Sequence, residues 1–322
     1  MPAAWRPTAR FEILRLRARV LADLRDFFAR RSVLEVETPV LSQAGNCDPH
    51  LHSLMTACTG ADELAVLYSL HTSPEFAMKR LLAAGSGSIY QIARVFRDGE
   101  RGSWHNPEFT LVEWYRVGFN HHRLMEELEA LLSQVLGTAS CRRSSYAEIF
   151  QAYVELDPHH ASLAELHRHT ARLGLGSSPY ACQDRDDYLN LILSHSIAPK
   201  LGWDRPTFIY DFPASQAALA RIRAGDPPLA ERFELYIHGM EIANGFHELG
   251  DHIEQRRRFG AELARRRQLG LPELPMDERL LAALEHGLPN CAGVALGFDR
   301  LLMAITGARD IAEVLAFPIE RA

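Results

Sequence analysis

Three short segments combine residue types that can bind a phosphate or a divalent cation. The first runs from Phe96 to Glu100 and continues through a polar stretch to Phe109, with Arg97, His105 and Asn106 as hydrogen-bond donors. Arginine presents a planar fork of N–H groups that matches phosphate oxygens. Taken alone, this segment fits a solvated hairpin turn better than a phosphate site.

The second segment, residues 239–248, carries two carboxylates, Glu241 and Glu248. Residues seven apart on a regular strand lie on opposite faces. The pair Asn244-Gly245 predicts a turn or bulge that would bring both carboxylates to one pocket. Because Mg²⁺ prefers oxygen ligands, the segment predicts a magnesium site, with two surface glutamates around a turn as the alternative.

The third segment, residues 293–300, reads as a strand that ends at Gly297 and a helix that follows it. Arg300 then lies in the first helical turn, where the helix dipole already favours anions. The alternative interpretation is a packing glycine followed by a salt-bridged arginine.

The composition is that of a globular protein. The chain has 322 residues, of which 47% are hydrophobic and 24% charged, and no run of 18 apolar residues occurs. The formal charge of −6 argues against a general nucleic-acid binder. The N-terminal residues lack the apolar centre of a signal peptide, so we expect a cytoplasmic protein without a membrane partner.

Cysteines and histidines suggest neither a disulfide framework nor a zinc site. No CxxC pair and no HExxH motif occurs, and the five cysteines are scattered. Asp48, His50 and His52 alternate and could share a strand face, but a solvated strand edge is the favoured interpretation because no fourth ligand is near.

Periodicity predicts the elements that must position these groups. We predict helices at 12–31, from Ser73 as N-cap to Leu82, and at 121–136, 250–269, 276–286 and 298–305. Strands are predicted at 33–41, at 64–70 (buried), at 89–96 and 108–117 (a hairpin), and at 206–211, 232–242 and 293–297. The segment 140–205, with a Ser/Pro patch at 176–179, reads as a helical insertion. Together these elements predict an α+β fold, an antiparallel sheet flanked by helices in one domain over 1–322.

The arginines of the predicted helix 250–269 are interpreted as a solvated face. The alternative is a docking surface for an acidic partner, with Arg257 and Arg266 as contacts.

In this order and spacing the three segments resemble the three motifs of class II aminoacyl-tRNA synthetases, with the helix 12–31 and residues 36–39 as part of motif 1. Residues 72–75, 105–109 and 243–249 look most like the lysyl branch, and the resemblance covers nearly the whole chain. It implies a class II core and a homodimer with Pro39 at the two-fold interface.

The first predicted helix begins within about 15 residues of Met1, which leaves no room for the N-terminal OB-fold of bacterial lysyl-tRNA synthetases. A catalytic core alone resembles the stand-alone paralogues that activate (R)-β-lysine with ATP and attach it to a lysine of elongation factor P. We therefore expect ATP, (R)-β-lysine or lysine, and elongation factor P as partners, and no tRNA. A truncated tRNA aminoacylase and a non-catalytic regulatory paralogue are the alternatives.

The resemblance also implies roles for individual residues. Arg97 should hold the α-phosphate and Arg300 the γ-phosphate, as the catalytic pair. The positions that match nucleotide-binding residues are Arg97, Asp98, Gly99, His105, Asn106, Glu241, Ile242, Gly297 and Arg300. Those that match amino-acid-binding residues are Ser73, Pro74, Glu75, Tyr115 and Glu248, and Glu241 and Glu248 would bind Mg²⁺.

Two positions depart from the lysyl pattern. Gly99 stands where the family usually has glutamate, so Glu100 is displaced by one position. Ala295 stands where lysyl-tRNA synthetases usually have glycine, and we expect its methyl group to favour a β-amino acid.

Overall fold

A computed structural model describes residues 5–59, 65–137, 140–175, 182 and 184–322; the predicted Ser/Pro patch at 176–179 lies outside the described residues. The α-helices are α1 (Phe11–Ala29), α2 (Glu75–Ala83), α3 (His121–Leu136), α4 (Tyr146–Val154), α5 (Leu163–Arg172), α6 (Arg185–Ile192), α7 (His252–Gln268), α8 (Glu278–Gly287) and α9 (Phe298–Thr306). The strands are β1 (Leu34–Glu35), β2 (Leu41–Ser42), β3 (Met55–Thr59), β4 (Ala65–Leu70), β5 (Ile89–Phe96), β6 (Glu108–Val117), β7 (Arg142–Ser145), β8 (Thr207–Pro213), β9 (Ile222–Arg223), β10 (Leu229–Ile237), β11 (Met240–His247) and β12 (Cys291–Gly297).

The chain forms two compact units, Met1–Phe119 with Leu249–Ala322, and Asn120–Glu248. In the first unit β5, β6 and β12 pair antiparallel, β1 pairs parallel with β5, and β2, β4 and β3 form a smaller antiparallel sheet. In the second unit β10 lies between β11 and β8 in antiparallel pairing, while β7 runs parallel to β8. The mixture of helices with predominantly antiparallel strands confirms the predicted α+β class.

One face of the first unit's sheet packs against α1. The ring of Phe28 stacks on Tyr90 of β5 with centroids 4.3 Å apart and meets Trp114 of β6 edge-on at 5.3 Å. A polar contact joins the same elements, since Asp299 of α9 accepts hydrogen bonds from Arg17 of α1 and from the backbone N–H of Thr110. The aromatic face of the sheet is therefore covered by α1. Glu113 and Tyr115 lie on the opposite face.

The second unit has its own core between its helices and β8. Tyr146 and Phe150 of α4 stack at 4.5 Å, and Phe212 of β8 lies 4.8 Å from Tyr146. The described residues between 140 and 205 belong to this unit and include α4, α5 and α6, and Arg142–Ser145 form a short strand that the sequence pattern did not predict. Serine and aspartate N-caps with capping boxes start α4, α5 and α6.

Three predicted strands need correction. Within 33–41 only Leu34–Glu35 pair with β5, because Pro39 lacks an N–H and interrupts the ladder before β2. The strand near 64–70 is β4, and it is not buried, since Leu67 is 60% exposed.

The predicted strand 232–242 is instead the hairpin of β10 and β11. Its two-residue turn consists of His238 and Gly239, both with positive φ (51° and 78°). Turns of this kind match the twist of paired strands, which explains why the chain reverses there without an Asn-Gly signal.

The arginine-rich helix α7 is largely a surface held by ion pairs. Arg256 reaches Glu278 at 2.5 Å and Arg257 reaches Glu254 at 2.7 Å. Arg266, however, is buried and donates to the carbonyl oxygens of Asp48 and Pro272, so it cannot form the docking contact considered above.

Other expectations concern cysteines, histidines and membrane helices. All five cysteines are free thiols. Asp48, His50 and His52 lie outside the strands, so they share no strand face. Among the described helices, none combines the length and the apolar character that crossing a membrane requires.

Phe28→Ala should lower the free energy of unfolding by about 3–5 kcal/mol, because the fully buried ring leaves a cavity between α1, β5 and β6. Phe11→Ala on the same helix is the matched control, since Phe11 is 64% exposed; a change below about 0.5 kcal/mol is expected there. Urea denaturation of both variants measures the difference. Equal losses would contradict this account of the core.

Candidate functional site

The second face of the β5–β6–β12 sheet packs against Met78 and Leu82 of α2 at one end, whereas Ala295 and Gly297 of β12 are only half-buried. Glu113 of β6 pairs with Gln91 of β5 on one side and with Ala295 of β12 on the other. Because alternate residues share a face, β12 presents Gly293, Ala295 and Gly297 here. Small residues in a row leave space over the strand for a bound molecule.

Glu113 is the centre of this face, and sequence reasoning gave it no role. Its carboxylate is 2% exposed and accepts hydrogen bonds from Tyr115 Oη at 2.5 Å and from Ser73 Oγ at 2.7 Å. Both donors were predicted to bind the amino acid. Glu113 and Tyr115 are two residues apart on a strand, and this spacing could have predicted that their side chains lie on the same face.

Ser73 performs two tasks at the start of α2. The helix begins at Glu75 with Pro74 as its N-cap, one residue later than predicted. Ser73 Oγ nevertheless accepts a hydrogen bond from the Glu75 N–H at 3.0 Å while donating to Glu113. Ser73, Pro74 and Glu75 line one pocket together with His71 and Asp277.

Glu75 already has a cationic neighbour. Lys79, one helical turn later, is 2% exposed and donates from Nζ to Glu75 Oε1 at 2.6 Å. Burying a lysine is costly unless its charge is paired, so this ion pair holds the Glu75 carboxylate in one place. Sequence reasoning did not single out Lys79.

Arg97 directly follows β5, and its side chain has three contacts. Nε donates to the carbonyl oxygen of Thr72 at 3.3 Å, and Nη1 lies 3.4 Å from Glu100 Oε1. The guanidinium also lies over the Phe109 ring, 5.0 Å from its centroid. These contacts orient a planar cation at the mouth of the hairpin loop.

The turn after Arg97 explains the glycine at position 99. Gly99 has φ +77°, a conformation that glycine adopts without strain, and its N–H donates to Asp98 Oδ1 at 2.9 Å. The following residue, Glu100, therefore turns back to Arg97.

His105 and Arg300 lie near this cation. Burial, together with the positive charges of Arg300 and Arg97, lowers the pKa of His105, and Glu100 opposes the shift. Arg300 occupies the first turn of α9 and donates from Nε to the Trp104 carbonyl oxygen at 3.2 Å. The loop and the helix N-terminus thus form an electropositive site with a neutral imidazole, which suits an anion.

Asn106 serves the loop itself. Its Nδ2 donates to the Glu108 carbonyl oxygen at 2.6 Å, and its Oδ1 accepts from the Ile319 N–H at 3.0 Å. The amide therefore positions the hairpin loop against the C-terminal residues. Gly297 ends β12 and precedes α9, as expected.

In the second unit a bulge decides where the two predicted carboxylates point. Leu235 pairs with Ala243 and Tyr236 with Glu241, so Ile242 is the extra residue on β11. One inserted residue reverses the alternation, which places Glu241 and Glu248 on the same side despite their odd separation. The prediction of a break at Asn244-Gly245 is wrong, because both residues pair regularly with β10.

The same side of this sheet carries a buried polar network. Glu234 accepts hydrogen bonds from Arg232 at 2.5 Å and from Tyr236 Oη at 2.6 Å. Burial, followed by the charges of Glu234 and Glu241, raises the pKa of Tyr236 well above 10. Glu248 is 1% exposed and Glu241 half-buried. Carboxylate oxygens are the ligands that Mg²⁺ prefers, so the donor chemistry of each of these two side chains suits that ion.

Comparison with known proteins identifies the family of this chain. The family model described as tRNA synthetases class II (D, K and N) matches residues 3–321. Proteins named elongation factor P–(R)-β-lysine ligase are similar over 99% of this chain: that of Vibrio cholerae is 52% identical over 98% of its own length, and those of Yersinia enterocolitica and Salmonella gallinarum are 50% and 48% identical over 99% of theirs. The chain therefore belongs to the class II tRNA synthetase family of the D, K and N type.

Proposed function

We propose that this chain activates (R)-β-lysine with ATP and joins it to a lysine side chain of elongation factor P. The observation that carries the proposal is 48–52% identity, over essentially the full length of both chains, to ligases with that name. The cationic side chains that the activation step requires, Arg97 and Arg300, are present.

Activation needs positive charge around the phosphates. The β-lysine carboxylate attacks the α-phosphorus of ATP, the bond to the β-phosphate bridging oxygen breaks, and pyrophosphate leaves. Arg97 and Arg300 are fixed cations, and His105, neutral at pH 7, adds a hydrogen bond without further charge. Preorganised donors of this kind stabilise the charge that develops in the transition state.

Recognition of β-lysine needs acceptors for two ammonium groups. Glu75 and Glu248 are carboxylates in buried surroundings, and they offset the desolvation of the substrate's charges. Ser73 and Tyr115 have their hydroxyl groups aligned by Glu113, so their remaining lone pairs point in fixed directions.

Glu241 and Glu248 would hold Mg²⁺, which when bound neutralises phosphate charge. The hard oxygen donors of both side chains support this assignment.

In the second step the neutral amine of the target lysine attacks the acyl carbon of the adenylate. The acyl–phosphate bond breaks, AMP leaves, and the amine gives up a proton as the amide forms. The amine has an ordinary pKa near 10.4, so it must lose its ammonium proton before it attacks.

A homodimer and a cytoplasmic location complete the proposal. Around Pro39 the side chains of Leu34, Val40 and Leu41 are 56%, 38% and 39% exposed, an apolar surface suited to a subunit contact. Five free thiols suit a reducing compartment.

The function is tested by ATP–pyrophosphate exchange with (R)-β-lysine and α-lysine, followed by incubation with unmodified elongation factor P and intact-mass analysis. We expect faster exchange with β-lysine and a mass gain of one β-lysyl group on the protein. Exchange without transfer to the protein, but with transfer to added tRNA, would identify a tRNA aminoacylase. No exchange at all would identify a non-catalytic paralogue. Sedimentation of the same sample at the mass of one chain, 36.2 kDa, would contradict the homodimer.

Glu113→Gln should raise the KM for β-lysine about 10- to 100-fold while the KM for ATP stays within about twofold. The amide cannot accept both hydroxyl hydrogen bonds, and bonds to a charged acceptor contribute about 1.5–3 kcal/mol. Glu108→Gln on the same strand is the control, because Glu108 is half-exposed and contacts Arg94 on the opposite face. Equal effects of both substitutions on exchange kinetics would refute the role of Glu113.

Ala295→Gly should shift the ratio of kcat/KM values for β- over α-lysine toward α-lysine by about tenfold, since one methyl group in a pocket changes discrimination by that order. Ala295 lies directly opposite Glu113, where its methyl group narrows the space above β12. Ala292→Gly on the other face of β12 is the control and should leave the ratio unchanged. An unaltered ratio in Ala295→Gly would remove this residue from selectivity.

A further inference from the structure

A cluster of histidines and carboxylates lies in the second unit, apart from the groups used above. Its members are His121 at the first residue of α3, Asp211 on β8, Glu231 on β10 and His247 at the end of β11. Because β10 lies between β8 and β11, Asp211, Glu231 and His247 come from adjacent strands and lie at about the same position along the strand direction.

The cluster faces away from the Glu241 and Glu248 side of the sheet. On β11 Phe246 pairs with Arg232 and shares a side with Glu241, so His247 points to the opposite side, against which α3 packs. Glu231 lies with it, since its Oε2 is 2.6 Å from His247 Nδ1. The cluster is therefore separate from the magnesium site proposed above.

His121 is the reason to expect a ligand. It is 1% exposed, and both of its ring nitrogens lack a hydrogen-bond partner among the described residues. Nε2 lies 3.4 Å from Asp211 Oδ1, which is also without a hydrogen-bond partner. Buried imidazole nitrogens are normally satisfied. Nε2 has the Asp211 carboxylate beside it, whereas Nδ1 has no partner among the described residues, which indicates a missing group at Nδ1.

Arg223 and the side chains around His121 are linked by hydrogen bonds and ion pairs. Arg223 donates to Asp211 Oδ2 at 2.6 Å and lies 3.9 Å from Glu231 Oε1. On the other side of Glu231, Oε2 is 2.6 Å from His247 Nδ1. Ligand atoms of His121, Glu231 and His247 all lie within 4.8 Å of one another. The ring of His122 packs on that of His121 with centroids 4.0 Å apart and fixes its orientation.

We propose that His121, Glu231 and His247 bind a divalent transition-metal ion of the zinc type. Imidazole and carboxylate are suitable ligands, and a water molecule would complete four-coordination. A zinc ion with bonds of about 2.1 Å keeps its ligand atoms roughly 3.4 Å apart, so the side chains need to move by only about 1 Å. Asp211, held by Arg223, accepts from the second ring nitrogen of His121 and orients the ligand.

The ion has a structural task. It joins the first residue of α3 to β10 and β11, so binding stabilises the folded unit by an amount that grows with the logarithm of the metal concentration. It takes no part in adenylation, and the inference stands independently of the proposed function.

The test uses the full-length chain after treatment with a chelator. Titration with Zn²⁺ by calorimetry should show one saturable site per chain with a dissociation constant of about 1 µM or below. Co²⁺ should give the visible absorption of a four-coordinate site, and Zn²⁺ in excess should raise Tm by about 3 °C or more. Mg²⁺ should neither give the Co²⁺-type spectrum nor compete with Zn²⁺ for this site.

His121→Gln and Glu231→Gln should each weaken zinc binding at least tenfold. His160→Gln is the matched control, because His160 is an exposed histidine 2.9 Å from a carboxylate of Asp157 outside the cluster; it should bind zinc as the unchanged protein does. Circular dichroism checks that each variant is folded. If a variant does not fold, the Co²⁺ spectrum and stoichiometry of the unchanged chain still decide.

The proposal is overturned by the absence of a saturable site in the unchanged chain. It is also overturned if folded His121→Gln and Glu231→Gln proteins bind zinc as tightly as the His160→Gln control. In either case the cluster is a hydrogen-bond network between α3 and the sheet.

Discussion

Antiparallel pairing of β5, β6 and β12 decides, for each side chain of the first unit's sheet, whether it meets α1 or lies on the opposite face. Tyr90 and Trp114 point to Phe28, while Glu113 and Tyr115 point the other way. A shift of one residue in this register would bury the carboxylate under α1 and expose the tryptophan. The aromatic contact with the helix is therefore what holds the chemistry in place, because it makes that shift prohibitively costly.

In each unit, a buried glutamate fixes a tyrosine hydroxyl group, and Glu234 also pairs with the Arg232 guanidinium. Tyr115 donates to Glu113 and Tyr236 donates to Glu234, in each case from two residues further along the same strand. The spacing of two keeps donor and acceptor on one face. A buried carboxylate is tolerated because short hydrogen bonds replace its hydration. This arrangement yields rigid polar surfaces, which a ligase that discriminates between similar amino acids requires.

The electropositive site depends on short-range backbone geometry. Gly99 permits the turn that brings Glu100 back to Arg97, and Asn106 ties the hairpin loop to Ile319. Arg300 is delivered by the first turn of α9, where the helix dipole adds to its charge. With His105 kept neutral by burial and by these arginines, the site concentrates positive charge on groups that need not move when an anion binds.

Periodicity and local spacing were sufficient to predict the α+β class, the hairpin 89–96 and 108–117, most helices and the three motif segments. Tertiary structure decided the rest. The bulge at Ile242 follows from pairing with β10, and the roles of Glu113 and Lys79 depend on partners that only packing brings near. His121 and His247 are 126 residues apart, so no local motif announces their cluster. Contacts between distant segments exist only once the chain has folded, which is why spacing alone could not reveal them.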